Sequence, residues 1–198
     1  MRTRYVAPTL LLVSLWRPAP VAAEWQIKPF IGLTFGGGTT FVDLEQAAGR
    51  ANLVAGVTGV LLGEVLGIEA DFGRAPGFFQ SGNQHLVLAS NATTLTGSIV
   101  IALPRRVTQY TLRPYVVGGA GLMHARIDGS LGVLQVSSTL PAMNLGGGAT
   151  GFLTDRVGLS WDVRRFRSFG GKGQARGVSF GDEQLSFWRA NMAVAIRY

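Results

Sequence analysis

The C-terminal segment, residues 188–198, alternates strictly between two kinds of side chain. One face carries only apolar residues and runs from Trp188 to Tyr198, while the other carries Arg189, Asn191, small residues and Arg197. A period of two sustained over about 10 residues is the length and pattern of a strand that crosses a membrane within a closed barrel. The segment therefore predicts a membrane-spanning β-strand that ends on an aromatic residue.

The N-terminus has the features of an exported chain. Arg2 and Arg4 precede an apolar stretch at residues 6–16, and small residues follow up to Ala23. A basic start, a short apolar region and small residues are typical of a secretory signal peptide, and the apolar region is shorter than the about 20 residues of a membrane helix. The sequence predicts a signal peptide at 1–23 and one mature domain at 24–198.

The amino-acid composition indicates that part of the protein surface contacts something other than water. Charged residues make up 15% of the 198-residue chain, which contains 28 glycines and no cysteine, whereas soluble domains carry about 25% charged residues. The basic residues are scattered and do not alternate with aromatic residues, so nucleic acid is not expected as a partner.

Period-two alternation recurs in eight segments, which lie at residues 25–35, 52–61, 66–73, 94–103, 112–123, 145–153, 157–164 and 188–198. The connections alternate between long ones, at 37–50, 74–92, 127–143 and 167–186, and short ones, at 62–65, 104–110 and 154–156. An even number of antiparallel strands with short turns on one side and long loops on the other is typical of outer-membrane barrels. The expected fold class is all-β, an eight-stranded antiparallel up-and-down transmembrane β-barrel. The register of the sixth, glycine-rich strand is left open.

A soluble β-barrel or sandwich is the competing fold. Its strands would carry charge on the face toward water, whereas the polar faces of the second, fourth and sixth segments carry mainly Gly, Ser, Thr and Asn. Small residues suit the narrow interior of an eight-stranded barrel, which side chains just fill. The uncharged stretches 75–104 and 129–154 contain recurring polar residues, so neither is predicted to be a spanning helix.

Four motifs carry a resemblance to known proteins: residues 115–121 (YVVGGAG), residues 144–151 with the turn after them, the strand from Trp161 to Arg164, and the closing strand. Together they resemble the small eight-stranded outer-membrane barrels: OmpA-type transmembrane domains, OmpX-like proteins and opacity-type surface proteins. The resemblance covers residues 24–198. It implies export to the periplasm and insertion into the outer membrane of a Gram-negative bacterium. It also implies that the closing strand, ending at Tyr198, is the assembly signal for the barrel-assembly machinery.

Charged residues on the inward phase of the strands predict a structural network in the lumen. In a space this narrow they must pair or be hydrated, because an unpaired buried charge costs several kcal/mol. We expect Asp162 and Arg164 to join Arg113 and Arg189, with Glu69 and Asp71 supplying the balancing charge. The full predicted set is Glu69, Asp71, Arg113, Asp162, Arg164, Arg189 and Arg197, with Lys28 near the periplasmic mouth. The alternative is a narrow, selective pore.

No catalytic, cofactor-binding or metal-ligating residue is predicted. Residues 146–151 match the dinucleotide fingerprint G-x-G-x-x-G, but a strand and a short turn follow where that motif requires a helix. These glycines are interpreted as allowing tight inward packing. The histidines are His85 and His124. The one set that suits a lipid-modifying enzyme, the alternative function, is His124 with Asp128 or Ser130.

The function that follows is a structural or surface-interaction role in the outer membrane. Outer-membrane lipid and lipopolysaccharide are the expected partners, with host or other surface ligands at the long loops. Within the loop at 167–186, Arg167, Lys172 and Arg176 are the expected contacts for anionic lipopolysaccharide, by charge attraction. Arg74, Lys172 and Arg176 are the expected sites of tryptic cleavage on intact cells.

Overall fold

Eight antiparallel strands close into a single barrel. The computed structural model describes residues 23–39, 51–78, 87–108, 112–129, 135–169, 171–175, 178–183 and 185–198. The barrel strands are β1 (Glu24–Thr39), β2 (Asn52–Leu62), β3 (Leu66–Pro76), β4 (Val87–Ala102), β5 (Leu112–Gly129), β6 (Gln135–Phe152), β7 (Val157–Ser168) and β10 (Leu185–Arg197). Each pairs with its neighbours in sequence order, and β1 also pairs with β10, so the barrel sheet has no free edge. The predicted fold class is confirmed.

A separate hairpin lies in the connection between β7 and β10. It consists of β8 (Gly171–Ala175) and β9 (Val178–Glu183), which pair with each other and not with the barrel. The predicted loop at 167–186 therefore contains regular structure. Of its three predicted lipopolysaccharide contacts, Arg167 lies in β7, Lys172 lies in β8, and Arg176 lies outside the described residues.

The strands are longer at the long-loop end than the sequence pattern predicted. β4 begins at Val87, inside the predicted loop 74–92, and β3 continues to Pro76, so Arg74 is a strand residue. β5 and β6 continue through the predicted loop at 127–143 until Asp128 pairs with Gln135. Hydrogen bonding between strands uses the backbone and does not require apolar side chains, so the ladder continues where alternation fades.

The apolar phase of the barrel strands faces outward, as the alternation predicted. In β7, Val157, Leu159, Trp161 and Val163 are exposed, while the residues between them are buried. Large apolar side chains are exposed on all eight barrel strands, far more than the single patch of a few hundred Å² typical of a soluble monomer. The outer wall therefore has the composition of a surface that contacts lipid.

No helix in the part of the chain that the structure describes is long and apolar enough to span a membrane.

The open register of the sixth strand is set by its neighbours. Gly147 of β6 pairs with Val116 of β5 and with Val163 of β7, so Gly146 and Gly148 point into the barrel. A Cβ atom on Gly148 would lie 2.2 Å from the carbonyl oxygen of Trp161, which leaves no room for a side chain. The G-x-G-x-x-G match thus lies within β6, and β7 follows it after a short turn.

Residues 1–22 lie outside the described residues, so the signal peptide stays a prediction.

Candidate functional site

The centre of the lumen contains an ion cluster built around Arg164 of β7. The Arg164 guanidinium bonds to both oxygens of Glu69, and its Nη2–Oε2 distance is 3.2 Å. It also donates to Asp162, from Nε to Oδ1 over 2.9 Å and from Nη2 to Oδ2 over 3.1 Å. Since β3 and β7 are four strands apart in either direction around the ring, the contact between Arg164 and Glu69 crosses the full width of the lumen.

A second buried arginine, Arg189 of β10, pairs with Asp71 of β3. Its Nη2 atom lies 2.8 Å from each oxygen of Asp71, and Thr58 donates a 2.9 Å hydrogen bond to the same carboxylate. Arg189 also lies over two aromatic rings, 4.8 Å from the centroid of Phe30 and 4.5 Å from that of Phe166. Because Asp71 Oδ2 is 4.0 Å from Arg164 Nη1, the ion pairs of Arg164 and Arg189 form one cluster.

Uncharged side chains add hydrogen bonds to and around this cluster. Tyr115 donates to Asp162 over 3.2 Å, and Asn191 donates to the same carboxylate over 3.3 Å. Asn144 of β6 reaches across to β4 and donates to Thr96 over 2.8 Å. Lys28 lies on the short-turn side of the cluster, where its Nζ atom donates to Thr150 over 3.0 Å. Sequence analysis assigned Tyr115 no role in the lumen.

Two of the predicted network residues lie elsewhere. Arg113 donates to the carbonyl oxygens of Leu103, Gly63 and Glu64 and so fastens two short turns together. Arg197 donates to the carbonyl oxygen of Asp155 over 2.7 Å. The expectation that Arg113 joins Asp162, Arg164 and Arg189 is therefore wrong, whereas Arg197, also a member of the predicted lumen set, pairs with Glu24 at the rim. Alternation gives the face on which a side chain lies but not its depth, and both strands carry these residues close to the short-turn end.

The remaining predicted members come together. Glu69, Asp71, Asp162, Arg164 and Arg189 are all buried and linked by the contacts above. Breaking the ion pairs of the cluster would leave buried charges without partners, at a cost of several kcal/mol per ion.

Aromatic side chains fill the lumen on the long-loop side of the ion cluster, a feature that sequence analysis missed. The rings of Phe78 and Phe187 lie 5.1 Å apart between centroids, and Phe166 stacks on Phe187 at 5.4 Å. Met123 and Leu185 are fully buried beside them. The available signal was that Phe166 and Phe187 continue the inward phase of β7 and β10 beyond the segments in which the pattern was recognised.

The lumen widens into a cavity at the short-turn end. The cavity has a volume of about 350 Å³, and Lys28, Glu69, Arg113 and Tyr115 are among the residues that line it. At the rim, Glu24 forms ion pairs with Arg105 and Arg197. The cavity and the rim charges belong to the end of the barrel where both termini of the described chain lie.

The residues considered for a lipid-modifying enzyme are only partly described. His124 lies within β5, which continues to Gly129, and its Nδ1 atom is 2.8 Å from the hydroxyl of Thr139. His85, Ser130 and the side chain of Asp128 lie outside the described residues. The residues that are described contain no group of His, Asp and Glu side chains arranged to hold a metal ion.

Comparison with known proteins identifies the fold. No protein-family model matches the sequence, and no curated protein matches it. Among solved structures, Neisserial surface protein A superposes with a TM-score of 0.60 at 14% identity, over 88% of this chain and 97% of that one. The outer membrane protein OprG of Pseudomonas aeruginosa gives 0.56 at 12% identity, over 90% and 97% of the two chains. The N-terminal β-barrel domain of OprF from the same organism gives 0.53 at 15% identity, over 88% and 97%.

These similarities show a shared fold. The chain is an eight-stranded barrel of the small outer-membrane type, as the motifs predicted, and the outer-membrane setting of such barrels agrees with its exposed apolar wall. The low identities carry no information about a ligand or an activity.

Proposed function

We propose that this chain is a closed outer-membrane barrel with a structural and surface-interaction role, and that it neither conducts solutes nor catalyses a reaction. The observation that carries the proposal is the filling of the lumen by side chains from facing strands. The contact between Arg164 and Glu69 spans the barrel, and the pair of Arg189 and Asp71 lies against it. An eight-stranded barrel is only wide enough for side chains to fill it.

A second barrier supports the same conclusion. The aromatic group of Phe78, Phe166 and Phe187 lies between the ion cluster and the long-loop end. A hydrated ion that entered from outside would meet an apolar layer, and one from the periplasm would meet paired charges. Opening a path therefore requires separating both groups, at the cost of ion pairs and of buried apolar area.

The closing strand fits a role in assembly. Tyr198 is 79% exposed, and its backbone N–H donates to the carbonyl oxygen of Trp25 over 3.0 Å, which joins the two ends of the barrel chain. We propose that the barrel-assembly machinery recognises this strand. The long-loop end, which includes the β8–β9 hairpin, is the proposed face for surface ligands.

Single-channel recording in planar lipid bilayers tests the closed lumen. The purified, folded barrel should give no stable conductance steps, whereas a wide porin reconstituted in the same way gives them. Folding of the added protein is checked by heat-modifiable gel migration. A stable, solute-sized opening would disprove the closed lumen.

Cell fractionation tests the location separately. The protein should be recovered with the outer membrane and should shift in gel mobility on heating. Recovery from the soluble periplasm without such a shift would contradict the membrane barrel itself, whatever the conductance result.

A further inference from the structure

The outer wall of the barrel contains a groove that is separate from the lumen. Its volume is about 540 Å³, and it crosses β5, β6, β7 and β10. Its lining side chains include Val116, Met143, Leu145, Arg165, Arg167 and Trp188. Strand pairing places Leu145 and Trp188 on either side of Arg165, and Met143 beside Arg167. The groove thus combines two cations with apolar walls on a surface that faces lipid.

The positions of Arg165 and Arg167 along β7 give their depth in the membrane. The outward residues of β7 are apolar from Val157 to Val163, and Arg165 and Arg167 come next toward the long-loop end. Eight residues separate Val157 from Arg165. At about 3.3 Å per residue and a tilt of about 40°, they span about 20 Å along the barrel axis. Since the apolar band of such barrels is about 25 Å tall, Arg165 lies at the outer edge of the hydrocarbon layer.

These arginines lack carboxylate partners in the part of the chain that the structure describes. Of the carboxylates whose side chains the structure describes, Glu24, Glu69, Asp71 and Asp162 are buried inside the barrel, and Glu64 and Asp155 lie in turns at the opposite end. The side chains of Asp128, Asp182 and Glu183 lie outside the described residues. The guanidinium of Arg165 is 5.6 Å from the ring centroid of Trp188. That contact positions the cation without neutralising it.

A cation at this depth needs an anion from the membrane. An arginine on the lipid face costs about 2–4 kcal/mol at the bilayer centre and less near the interface, where a phosphate can pair with it. Guanidinium groups bind phosphate oxygens in bidentate fashion, and tryptophan is favoured at the level of lipid headgroups. Leu145 lies beside Arg165, and Val116 lies at the level of Val163, deeper in the apolar band, so the two offer an apolar surface that fits an acyl chain.

We propose that the groove binds one phosphorylated glycolipid of the outer leaflet, of the lipid A class. Its phosphate pairs with Arg165 and Arg167, and an acyl chain lies along Val116 and Leu145. This assignment rests on the proposed function, because it requires the barrel to lie in the outer membrane with its long-loop end outward. It moves the expected lipopolysaccharide contact from the loop at 167–186 to the barrel wall.

Native mass spectrometry of the detergent-purified barrel tests the site. The protein is titrated with bisphosphorylated lipid A, with dephosphorylated lipid A and with inorganic phosphate. One phosphorylated lipid should stay bound, and removing its phosphates should weaken binding at least about tenfold, because a hydrogen bond to a charged group contributes about 1.5–3 kcal/mol. Equal retention of both lipids, or inorganic phosphate that binds as tightly as lipid A, would overturn the proposal.

The variant Arg165→Gln/Arg167→Gln should lose at least about tenfold in affinity for phosphorylated lipid A. Arg74→Gln is the matched control: Arg74 is an exposed, outward-facing arginine near the same end of β3, the strand opposite β7. It should bind as wild type. An equal loss in the control would show general charge attraction and contradict a specific groove.

Heat-modifiable migration verifies that each variant is folded. A folded wild-type barrel that retains no phosphorylated lipid contradicts the groove alone. A wild-type chain without the mobility shift contradicts the proposed function instead.

Discussion

Replacing Asp71 with asparagine measures how much one ion pair in the lumen contributes to the free energy of unfolding. Asp71 is the only carboxylate in contact with Arg189 among the described residues, and the two side chains are 0% and 1% exposed. Asp71→Asn keeps the shape and one acceptor oxygen but leaves the guanidinium without a counter-ion. Breaking a buried pair in this way costs about 3–5 kcal/mol, and we expect the low end, about 3 kcal/mol, because the amide oxygen still accepts a hydrogen bond.

The comparison with Asp162 sharpens this expectation. Arg164 contacts both Glu69 and Asp162, so Asp162→Ala leaves it one carboxylate. We therefore expect a smaller loss than for Asp71→Asn, below the about 3–5 kcal/mol typical of breaking a buried pair. The double variant Asp71→Asn/Arg189→Met should recover most of the loss, because it also removes the unpaired cation.

Urea unfolding in lipid vesicles measures these free energies. Asp155→Asn is the matched control, since Asp155 is an exposed residue of a short turn whose described contact is through its backbone. Its effect should stay within about 0.5 kcal/mol. If Asp71→Asn costs no more than Asp155→Asn, the pair does not stabilise the fold and the reasoning fails.

Three further predictions test the packing and orientation of the strands. Gly148→Ala should destabilise the barrel by about 1–3 kcal/mol because its Cβ meets backbone, whereas Gly97→Ala, with no atom within 4 Å of its Cβ, should be neutral or stabilising in the same urea assay. Val163→Arg should cost about 2–4 kcal/mol near mid-membrane and Val163→Ala less; a neutral Val163→Arg would place β7 the other way round. Trypsin added to intact cells should cut at Arg176, between β8 and β9. It should leave Arg74 uncut, because Arg74 pairs with Ala55 and Thr93 within the sheet. The fragments are identified by mass spectrometry, and cleavage at Arg105 instead would mean that the barrel has the opposite orientation.

The sequence pattern predicts cleavage at Arg74 because this residue falls in a gap between two alternating segments, and such a gap is interpreted as a loop. Alternation marks the part of a strand with lipid on one side and lumen on the other. Beyond the membrane both faces tolerate polar residues, so the pattern fades while β3, β4, β5 and β6 continue. Strand ends could not be predicted for this reason, although strand number and order could.

The sequence by itself determined the barrel: eight strands, their order, and which residues face outward. These follow from the period-two pattern and the connection lengths, which are local properties. It also identified Glu69, Asp71, Asp162, Arg164 and Arg189 as inward charges, because facing is a property of each strand alone.

Tertiary structure alone decided which charges meet. The pairs of Arg164 with Glu69 and of Arg189 with Asp71 depend on strand register and on depth along the barrel axis, to which Arg113 and Arg197 also owe their places at the short turns. The outer groove is equally a product of register, since Leu145, Arg165 and Trp188 come from three strands. Alternation repeats every two residues and so cannot distinguish one register from another that differs by two, whereas the backbone ladder of the closed barrel selects one.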